Sequence, residues 1–312
     1  MKPEANKQII DVIIPVYKPG KDFYKLVERV EKQTVPIRKI YIMHTVDGVD
    51  LEDLYRRYEN LLITEIQQDE FDHGGTRDRA VHMSDADILV FFTQDALPKD
   101  KKLIEELIKP FENEKVAVSF ARQLPREECS IIERYVRKFN YPERSRIKSA
   151  EDIKELGIKT FFCSNVCAAY DRKIYHQIGG FEKSTILNED MLFAAKCIKQ
   201  GYSVSYTAEA KVIHSHNYTN VQQFRRNFDV AVSQAQHPEI FQGIKSEEEG
   251  IRMVRSAAAY LLKTGRPFHV FSLFWGSAVK YLGFLMGKHY QILPKRLIRC
   301  CSMFPAYWNR TM

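Results

Sequence analysis

The sequence lacks the cysteine patterns of zinc-binding and disulfide-rich proteins. Its six cysteines form no C-x-x-C pair and no spacing typical of a zinc site. It also lacks an evident export signal, because residues 1–8 are polar rather than apolar. Thiols of a protein that is not exported are expected to stay reduced. These absences predict a cytoplasmic protein with free cysteines.

A large excess of one charge is lacking as well. The net charge is +7 over 312 residues, and contents of 45% hydrophobic and 28% charged residues are ordinary for a globular protein. This mild charge suits an anionic small molecule, an acidic membrane surface or nucleic acid, and does not choose between them. The length allows one large α/β domain with an appendage, or two modest domains.

The first 120 residues contain a regular alternation of apolar runs and helical patterns. The apolar runs are typical of strands buried on both faces, and they cover residues 9–16, 39–44, 61–67 and 88–92. Strands separated by helical patterns of roughly 15 residues indicate βαβ units in a parallel sheet. The carboxyl ends of such strands share one edge, where ligands bind in open α/β sheets. We therefore expect one rim to gather Tyr17, Asp47, Gln68 and Asp95.

Asp95 follows the apolar run Ile88–Phe92, after Thr93 and Gln94. A carboxylate at the tip of a hydrophobic strand is badly placed for packing. Its hard oxygens suit Mg²⁺ or Mn²⁺ beside a diphosphate. A strand-end acid that begins a turn explains the residue equally well.

The stretch Phe71–Arg79, FDHGGTRDR, lies between a predicted strand and a predicted helix. Its two glycines allow the backbone to approach a ligand closely, and a helix start near Thr76 offers free N–H groups to phosphate. Arg77 adds a guanidinium that matches phosphate geometry. A glycine turn before an ordinary helix is the alternative interpretation.

Two further groups of polar residues are candidates for chemistry. Glu189 and Asp190 follow Asn188, a predicted helix N-cap, so the helix dipole favours their ionised forms. One of them could take a proton from a sugar hydroxyl, although acids are also common at helix starts. His214 and His216 are two residues apart, so on an extended chain they share a face and either could complete a metal site.

The remaining sequence contains a basic segment and an apolar segment. Residues 121–159 are polar and basic, and we expect them to lie over the rim; residues 161–170 resemble a strand. Residues 267–287 are strongly apolar and aromatic, with basic residues nearby. They could lie at a membrane surface, or form a helical pair that packs on the catalytic domain or on a second subunit.

Seven motifs make the chain resemble a family 2 glycosyltransferase of the GT-A fold, over roughly residues 9–245. It is most similar to the bacterial rhamnosyltransferase branch that builds cell-wall or surface polysaccharide. The motifs are DVIIPVY at 11–17, FDHGGTRD at 71–78, FFTQDA at 91–96, ARQLP at 121–125, FNYP at 139–142, NEDM at 188–191 and HSHNY at 214–218. Their order and spacing, rather than any single motif, carry the resemblance.

The resemblance implies a role for each matched residue. The predicted donor-binding residues are Pro15 and Tyr17 at the nucleotide base, Asp47 on a base N–H, Gly75 and Arg77 at the diphosphate, and Gln94 and Asp95 at the rim. Asp95 matches the last acid of the family's D-x-D metal motif, whose first acid is here Thr93. His214 matches the second metal ligand, ahead of His216. Asp190, with Glu189 beside it, matches the catalytic base.

The implied protein is an inverting glycosyltransferase that uses Mg²⁺ or Mn²⁺. The resemblance favours dTDP-L-rhamnose as donor and a saccharide or polyprenyl-linked glycan as acceptor, with no nucleic-acid partner. A UDP-sugar donor is the first alternative, and a non-catalytic nucleotide-binding module is the second. We expect a GT-A domain over residues 1–245, with a donor half to residue 120 and an acceptor half from residue 121. We expect residues 246–312 to form a helical extension that contacts a membrane or a second subunit. We expect the protein to lie in the cytoplasm, at the inner face of the cell membrane.

Overall fold

The computed structural model describes residues 8–242 and 247–311. The polar stretch 1–7 and the predicted domain boundary between residues 245 and 246 lie outside the described residues. The strands are β1 (Ile10–Val16), β2 (Lys39–Thr45), β3 (Leu61–Ile66), β4 (Ile88–Phe92), β5 (Leu97–Pro98), β6 (Val116–Leu124), β7 (Arg146–Lys148), β8 (Cys167–Asp171) and β9 (Ser203–Ile213).

The strands form one sheet in the order β3-β2-β1-β4-β8-β6-β9-β5, and β7 pairs with β9. Strands β3, β2, β1 and β4 pair in parallel, and β6 and β9 also pair in parallel. Strand β8 runs antiparallel to both of its neighbours. The predicted mostly parallel α/β sheet is therefore confirmed, and the carboxyl ends of β1, β2 and β4 lie at one edge.

Helices flank the sheet and then form a C-terminal group. They are α1 (Lys21–Glu31), α2 (Glu52–Arg57), α3 (His73–Met83), α4 (Leu103–Ile108), α5 (Ile131–Asn140), α6 (Ile153–Leu156), α7 (Arg172–Ile178), α8 (Glu189–Lys199), α9 (Asn220–Gln236), α10 (Pro238–Phe241), α11 (Glu247–Lys263), α12 (Phe268–Lys288), α13 (Lys295–Cys301) and α14 (Pro305–Thr311). Helix α1 buries Phe23, Leu26, Val27 and Val30, the spacing of one helical face.

The core consists of two apolar layers, one on each face of the sheet. In β4, Leu89 and Phe91 belong to one layer, whereas Ile88, Val90 and Phe92 belong to the other. This alternation follows from the period of two along a strand. Because β4 is buried on both faces, it holds the polar residues that follow it in a fixed position.

Four local predictions need correction. The run 161–170 is not one strand: a 3₁₀ helix over Gly157–Phe161 precedes a turn, and β8 begins only at Cys167. The sequence pattern also predicts a helix over residues 101–111, but the helix ends at Ile108 and continues as a 3₁₀ turn, because Pro110 cannot supply a helical N–H. It predicts Asp22 as a helix N-cap, but Gly20 occupies that position. It predicts a strand over residues 116–120, but β6 continues to Leu124.

The C-terminal helices pack onto the rest of the chain. The buried side chain of Trp308 belongs to a cluster with Ile186, Leu187, Phe228 and Val232. This cluster joins the end of the chain to α9 and to the segment that precedes α8. Packing on the main domain, one of the two interpretations of the C-terminal segment, is therefore present in the structure.

Candidate active site

Hydrogen bonds between strand ends build the predicted rim. The Tyr17 amide donates to Gln94 Oε1 at 2.8 Å, and Gln94 Nε2 donates back to the Tyr17 carbonyl at 2.9 Å. The Lys18 amide donates to Asp47 Oδ2, and Gln68 Nε2 donates to the Val46 carbonyl at 2.9 Å. These contacts join the ends of β1, β2 and β4, so the structure brings the four rim residues to one edge as expected.

An open cleft of about 360 Å³ lies at the ends of β2 and β3, lined by His44, Val49, Leu51 and Ile63 among others. The Asp47 carboxylate, next to this lining in sequence, also accepts from the Val49 amide at 2.8 Å. Loss of solvent opposes ionisation, but the amides of Val49 and Lys18 together with His44 hold the pKa of Asp47 below its usual value. Asp47 is therefore ionised and fixed. Its predicted contact with a nucleotide base, like those of Pro15 and Tyr17, stays a prediction.

Asp95 lies against two histidines. His214 Nε2 and His216 Nε2 are each 3.5 Å from Asp95 Oδ2. The three candidate ligand atoms lie within 4.8 Å of one another. Strand β9 continues one hydrogen bond beyond Ile213, from the His214 amide to the Leu124 carbonyl at 2.9 Å. This hydrogen bond holds the segment with both histidines at the rim. Because both Nε2 atoms lie 3.5 Å from Asp95 Oδ2, the distances give no preference for His214 over His216.

The surroundings of this cluster suit a divalent cation. Gln123 Oε1 is 3.0 Å from His214 Nδ1, which leaves Nε2 free to bind a metal, the usual arrangement of a metal-binding histidine. Burial, with the nearby His216, holds the pKa of His214 well below its usual value, so the imidazole is neutral. Thr93, two residues before Asp95, has a buried hydroxyl oxygen that finds no hydrogen-bond partner among the described residues. One carboxylate and two neutral imidazoles are suitable ligands for Mn²⁺ or Mg²⁺.

The acidic pair at the start of α8 divides into two environments. Glu189 is buried, with Oε1 at 3.2 Å from Arg77 Nη1 and at 3.1 Å from Asn165 Nδ2. Although burial favours the neutral acid, Arg77 and His73 hold the pKa of Glu189 below its usual value. Asp190 is only partly buried and accepts the Asn165 amide at 2.8 Å. Desolvation and the Glu189 charge raise the pKa of Asp190 to about 7.

A short segment, residues 164–166, joins the acidic pair to the histidine cluster. The Val166 carbonyl accepts from the Thr93 amide at 3.2 Å. Ser164 Oγ accepts from Gln123 Nε2 at 2.9 Å, and Asn165 contacts both acids. The segment therefore links Asp190, through Asn165, to Thr93, which precedes Asp95 by two residues.

The glycine motif differs from its sequence interpretation. Helix α3 begins at His73 rather than near Thr76, with Asp72 as N-cap, and the Asp72 carboxylate accepts the Gly75 amide. A Cβ atom on Gly74 would lie 2.0 Å from the Glu182 carbonyl oxygen. Packing against Glu182 therefore requires glycine at position 74.

Arg77 lies beside the acidic pair. Its Nη1 donates to the His73 carbonyl at 2.7 Å and lies beside Glu189. The amide of Gly75 is occupied by the N-cap. The placement of both residues at a diphosphate stays a prediction.

Sequence reasoning missed three residues that organise the site. Arg126 Nη2 donates to the Asp95 carbonyl at 2.8 Å, and Nη1 pairs with Asp22 at 2.7 Å. Gln123 holds His214, and Asn165 holds both acids. The motif ARQLP contains Gln123 and continues into Arg126, which was the available signal for those two residues; Asn165 had none.

The chain matches proteins of known activity over most of its length. The family model described as glycosyl transferase family 2 matches residues 11–179. O-antigen chain rhamnosyltransferase RfbN of Salmonella typhimurium is 40% identical over 304 residues, 96% of each chain. O-antigen chain rhamnosyltransferase WbaN of Salmonella anatum is 40% identical over 303 residues, 96% of this chain and 95% of its own.

Solved structures share the fold at low sequence identity. The mannosyltransferase PcManGT of Pyrobaculum calidifontis, in complex with GDP-Man and Mn²⁺, has a TM-score of 0.57 at 14% identity, covering 97% of this chain and 85% of its own. S. aureus TarS 1–349, in complex with UDP-GlcNAc, has a TM-score of 0.54 at 12% identity, covering 91% of each chain. The GT-A fold and the family resemblance are thereby confirmed. The chain belongs to glycosyltransferase family 2, and it is an enzyme of the glycosyltransferase class.

Proposed function

We propose that the enzyme transfers L-rhamnose from dTDP-L-rhamnose to a saccharide or polyprenyl-linked glycan during synthesis of a surface polysaccharide. Two rhamnosyltransferases of O-antigen chains, each 40% identical over nearly the full chain, support the sugar and the product class. The observation that carries the chemistry is the link between the two acids through residues 164–166, where Asn165 donates to Asp190 and the Val166 carbonyl accepts from Thr93, two residues before Asp95. We place the reaction in the cytoplasm.

Donor binding uses the rim in this proposal. Tyr17, 41% exposed, offers a ring face to the base beside the ionised Asp47. Pro15 lies at the end of β1, and Gln94 ties β1 to β4. Gly75 and Arg77 are assigned to the diphosphate side, next to the acidic pair.

The histidine cluster is the proposed metal site. Asp95, His214 and His216 would hold Mg²⁺ or Mn²⁺, and the Mn²⁺ of the mannosyltransferase with the same fold supports this assignment. A bound divalent cation supplies positive charge next to a developing diphosphate. Gln123 orients His214 for that role.

Asp190 is the proposed general base, with Glu189 as its charged neighbour. The Glu189 carboxylate is buried and contacts Arg77 and Asn165. Asp190 is partly exposed. A pKa of about 7 suits a base, because both protonation states are available at neutral pH. Asp190 takes the proton of the acceptor hydroxyl as the hydroxyl oxygen attacks the anomeric carbon, and the bond from that carbon to the diphosphate oxygen breaks and releases dTDP. A single displacement inverts that carbon and needs no protein nucleophile.

A binding screen with turnover tests this proposal. Wild-type protein is melted with dTDP-L-rhamnose, UDP-sugars and GDP-mannose, with and without Mn²⁺. A donor at 100 times its Kd stabilises the protein by about 2.7 kcal/mol. We expect the largest shift with dTDP-L-rhamnose and Mn²⁺, and donor hydrolysis by wild type but not by Asp190→Asn. A larger shift with a UDP-sugar overturns the donor assignment, and no shift with any sugar nucleotide overturns the function.

A further inference from the structure

The positive charge of the protein is concentrated at its C-terminal end. After Glu249 the sequence contains ten Lys and Arg residues and no Asp or Glu. The remaining 37 Lys and Arg of residues 1–249 face 40 Asp and Glu, so that part has a net charge of −3 against +10 for residues 250–312. The net positive charge of the protein therefore comes from residues 250–312.

Helix α12 has one face made for close packing. A Cβ atom on Gly283 would lie 2.3 Å from the Phe224 carbonyl oxygen, and one on Gly287 would lie 2.2 Å from the Phe228 carbonyl oxygen. These glycines let α12 lie directly on the backbone of α9, while Leu273 packs with α11. Helix α12 is therefore fixed to the catalytic domain along one side.

The opposite face of α12 is apolar and exposed. Phe268 is 90% exposed, Phe271 77%, Trp275 58%, Leu282 53% and Leu285 41%. Their spacing of three or four residues, with the longer step from 275 to 282, defines one helical stripe. We call this stripe the α12 outer face. Scattered exposed apolar residues are ordinary, but several large apolar side chains along one helical face mark an interaction surface.

Helix α12 is long and apolar enough to cross a membrane, and within the described residues it is the one helix that meets this test. Crossing would carry α9, with its Arg225, Arg226 and Asp229, into the hydrocarbon, because α12 is seated on α9. A helix with one packed face and one apolar face instead lies in the plane of the interface.

We propose that the α12 outer face docks on a bilayer containing anionic phospholipids. The inference deepens the proposed function, since it names the surface from which a lipid-linked acceptor would be reached. Exposed basic residues border the helix in sequence: Lys263, Arg266, Lys288, Lys295, Arg296 and Arg299. Aromatic residues with flanking basic residues are typical of interfacial segments. A second copy is disfavoured as the occupant, because two segments of charge +10 would repel.

The geometry places the lipid one helix away from the histidine cluster. Helix α9 follows directly after the segment that contains His214 and His216, and the His216 ring stacks on Tyr218 at 4.8 Å. The Arg226 guanidinium lies 5.9 Å from the Tyr218 ring centroid. Docking through α12 therefore holds the rim close to the bilayer.

The two tryptophans make this surface measurable in the full-length protein. Trp275 is 58% exposed and lies on the outer face, whereas Trp308 is 2% exposed and buried. Vesicles of phosphatidylglycerol and phosphatidylcholine are expected to shift the tryptophan emission to the blue and to co-sediment the protein. Trp275→Phe should bind the vesicles without the shift. Pure phosphatidylcholine vesicles should bind weakly.

Paired variants test the contacts. Phe268→Glu/Phe271→Glu should lose at least about 100-fold in vesicle affinity, since each buried phenylalanine contributes tenfold or more. Its matched control is Tyr55→Glu, which changes a 57% exposed aromatic residue on α2 and should bind as wild type does. Arg266→Gln should lose about fivefold, the equivalent of about 1 kcal/mol for one basic residue. All variants should keep the wild-type melting temperature.

The outcomes separate this inference from the proposed function. Vesicle binding needs no sugar nucleotide, and donor hydrolysis needs no vesicle, so each can fail alone. Absence of wild-type binding to anionic vesicles overturns the inference, as does equal binding to pure phosphatidylcholine or an equal loss in Tyr55→Glu. Self-association that the α12 variant abolishes, without vesicle binding, overturns it in favour of a second copy of the chain.

Discussion

Replacing Asp190 with Asn should change turnover and stability in opposite directions at alkaline pH. As the proposed general base, Asp190 removes the proton of the acceptor hydroxyl. The Asn variant should bind donor but lose roughly 10²-fold or more in kcat. Wild-type kcat should rise as pH increases through about 7, because the pKa of Asp190 is raised to about 7.

The stability change follows from the same pKa. Between the usual value of 3.8 and about 7, the folded protein keeps a proton that the unfolded chain has lost. Wild-type stability therefore falls as pH rises through this interval, by about 4 kcal/mol for a fully desolvated group. Asp190 is partly exposed, and solvent screening reduces the expected change to about 2 kcal/mol. Asn does not titrate, so the variant should gain about 2 kcal/mol relative to wild type between pH 4.5 and pH 8.

Denaturant titrations at the two pH values isolate this effect. Asn loses one of the two amide hydrogen bonds that Asp190 accepts, from Asn165 and Met191, at a cost of about 1 kcal/mol that does not depend on pH. The difference between the pH values cancels this cost. Asp229→Asn is the matched control, because burial also raises the pKa of Asp229 to about 7, and its carboxylate accepts from the Met303 amide rather than from Asn165. It should show the same sign of stability change and keep its turnover. Unchanged kcat in Asp190→Asn, or an equal loss in Asp229→Asn, would refute the assignment.

Three further predictions concern the metal site, the acidic pair and the packing of α12 on α9. Asp95→Asn should lower Mn²⁺-dependent donor affinity at least about tenfold by titration calorimetry; wild-type affinity would contradict the proposed site. Arg77→Met should destabilise the fold by about 3–5 kcal/mol in urea, because its buried partner acid is left unpaired. Gly287→Ala should cost about 1–3 kcal/mol, since its Cβ meets a backbone carbonyl at 2.2 Å. Gly276→Ala, with its nearest atom at 3.8 Å, should be neutral or stabilising by up to about 1 kcal/mol, and equal melting temperatures for the two alanine variants would contradict the packing.

The sequence was most informative where the signal is local. The apolar runs 9–16, 39–44, 61–67 and 88–92 locate β1 to β4 to within one residue at each end, because a strand buried on both faces must be continuously apolar. The rim follows from the shared direction of parallel strands. Asp47, Gln94 and Asp95 could therefore be placed at one edge before any coordinates were known.

The sequence was least informative where distant segments meet. Residues 161–166 are aromatic and apolar like a strand, but they turn so that Asn165 can contact both acids. Their conformation depends on α8, more than 20 residues later. The packing role of Gly74 could not be predicted for the same reason, since the atom that requires glycine belongs to Glu182. Local patterns carry no information about such contacts.

The end of the chain contacts the glycine motif near its beginning. Arg310 Nη2 donates to the Phe71 carbonyl at 2.7 Å across 239 residues of sequence, and the Phe304 ring lies 4.9 Å from the His73 ring. Domains fold from the N-terminus as the ribosome extends the chain, but this loop meets these neighbours only after residues 304–310 have been synthesised. Chains truncated before residue 304 therefore lack the contacts that complete the glycine motif.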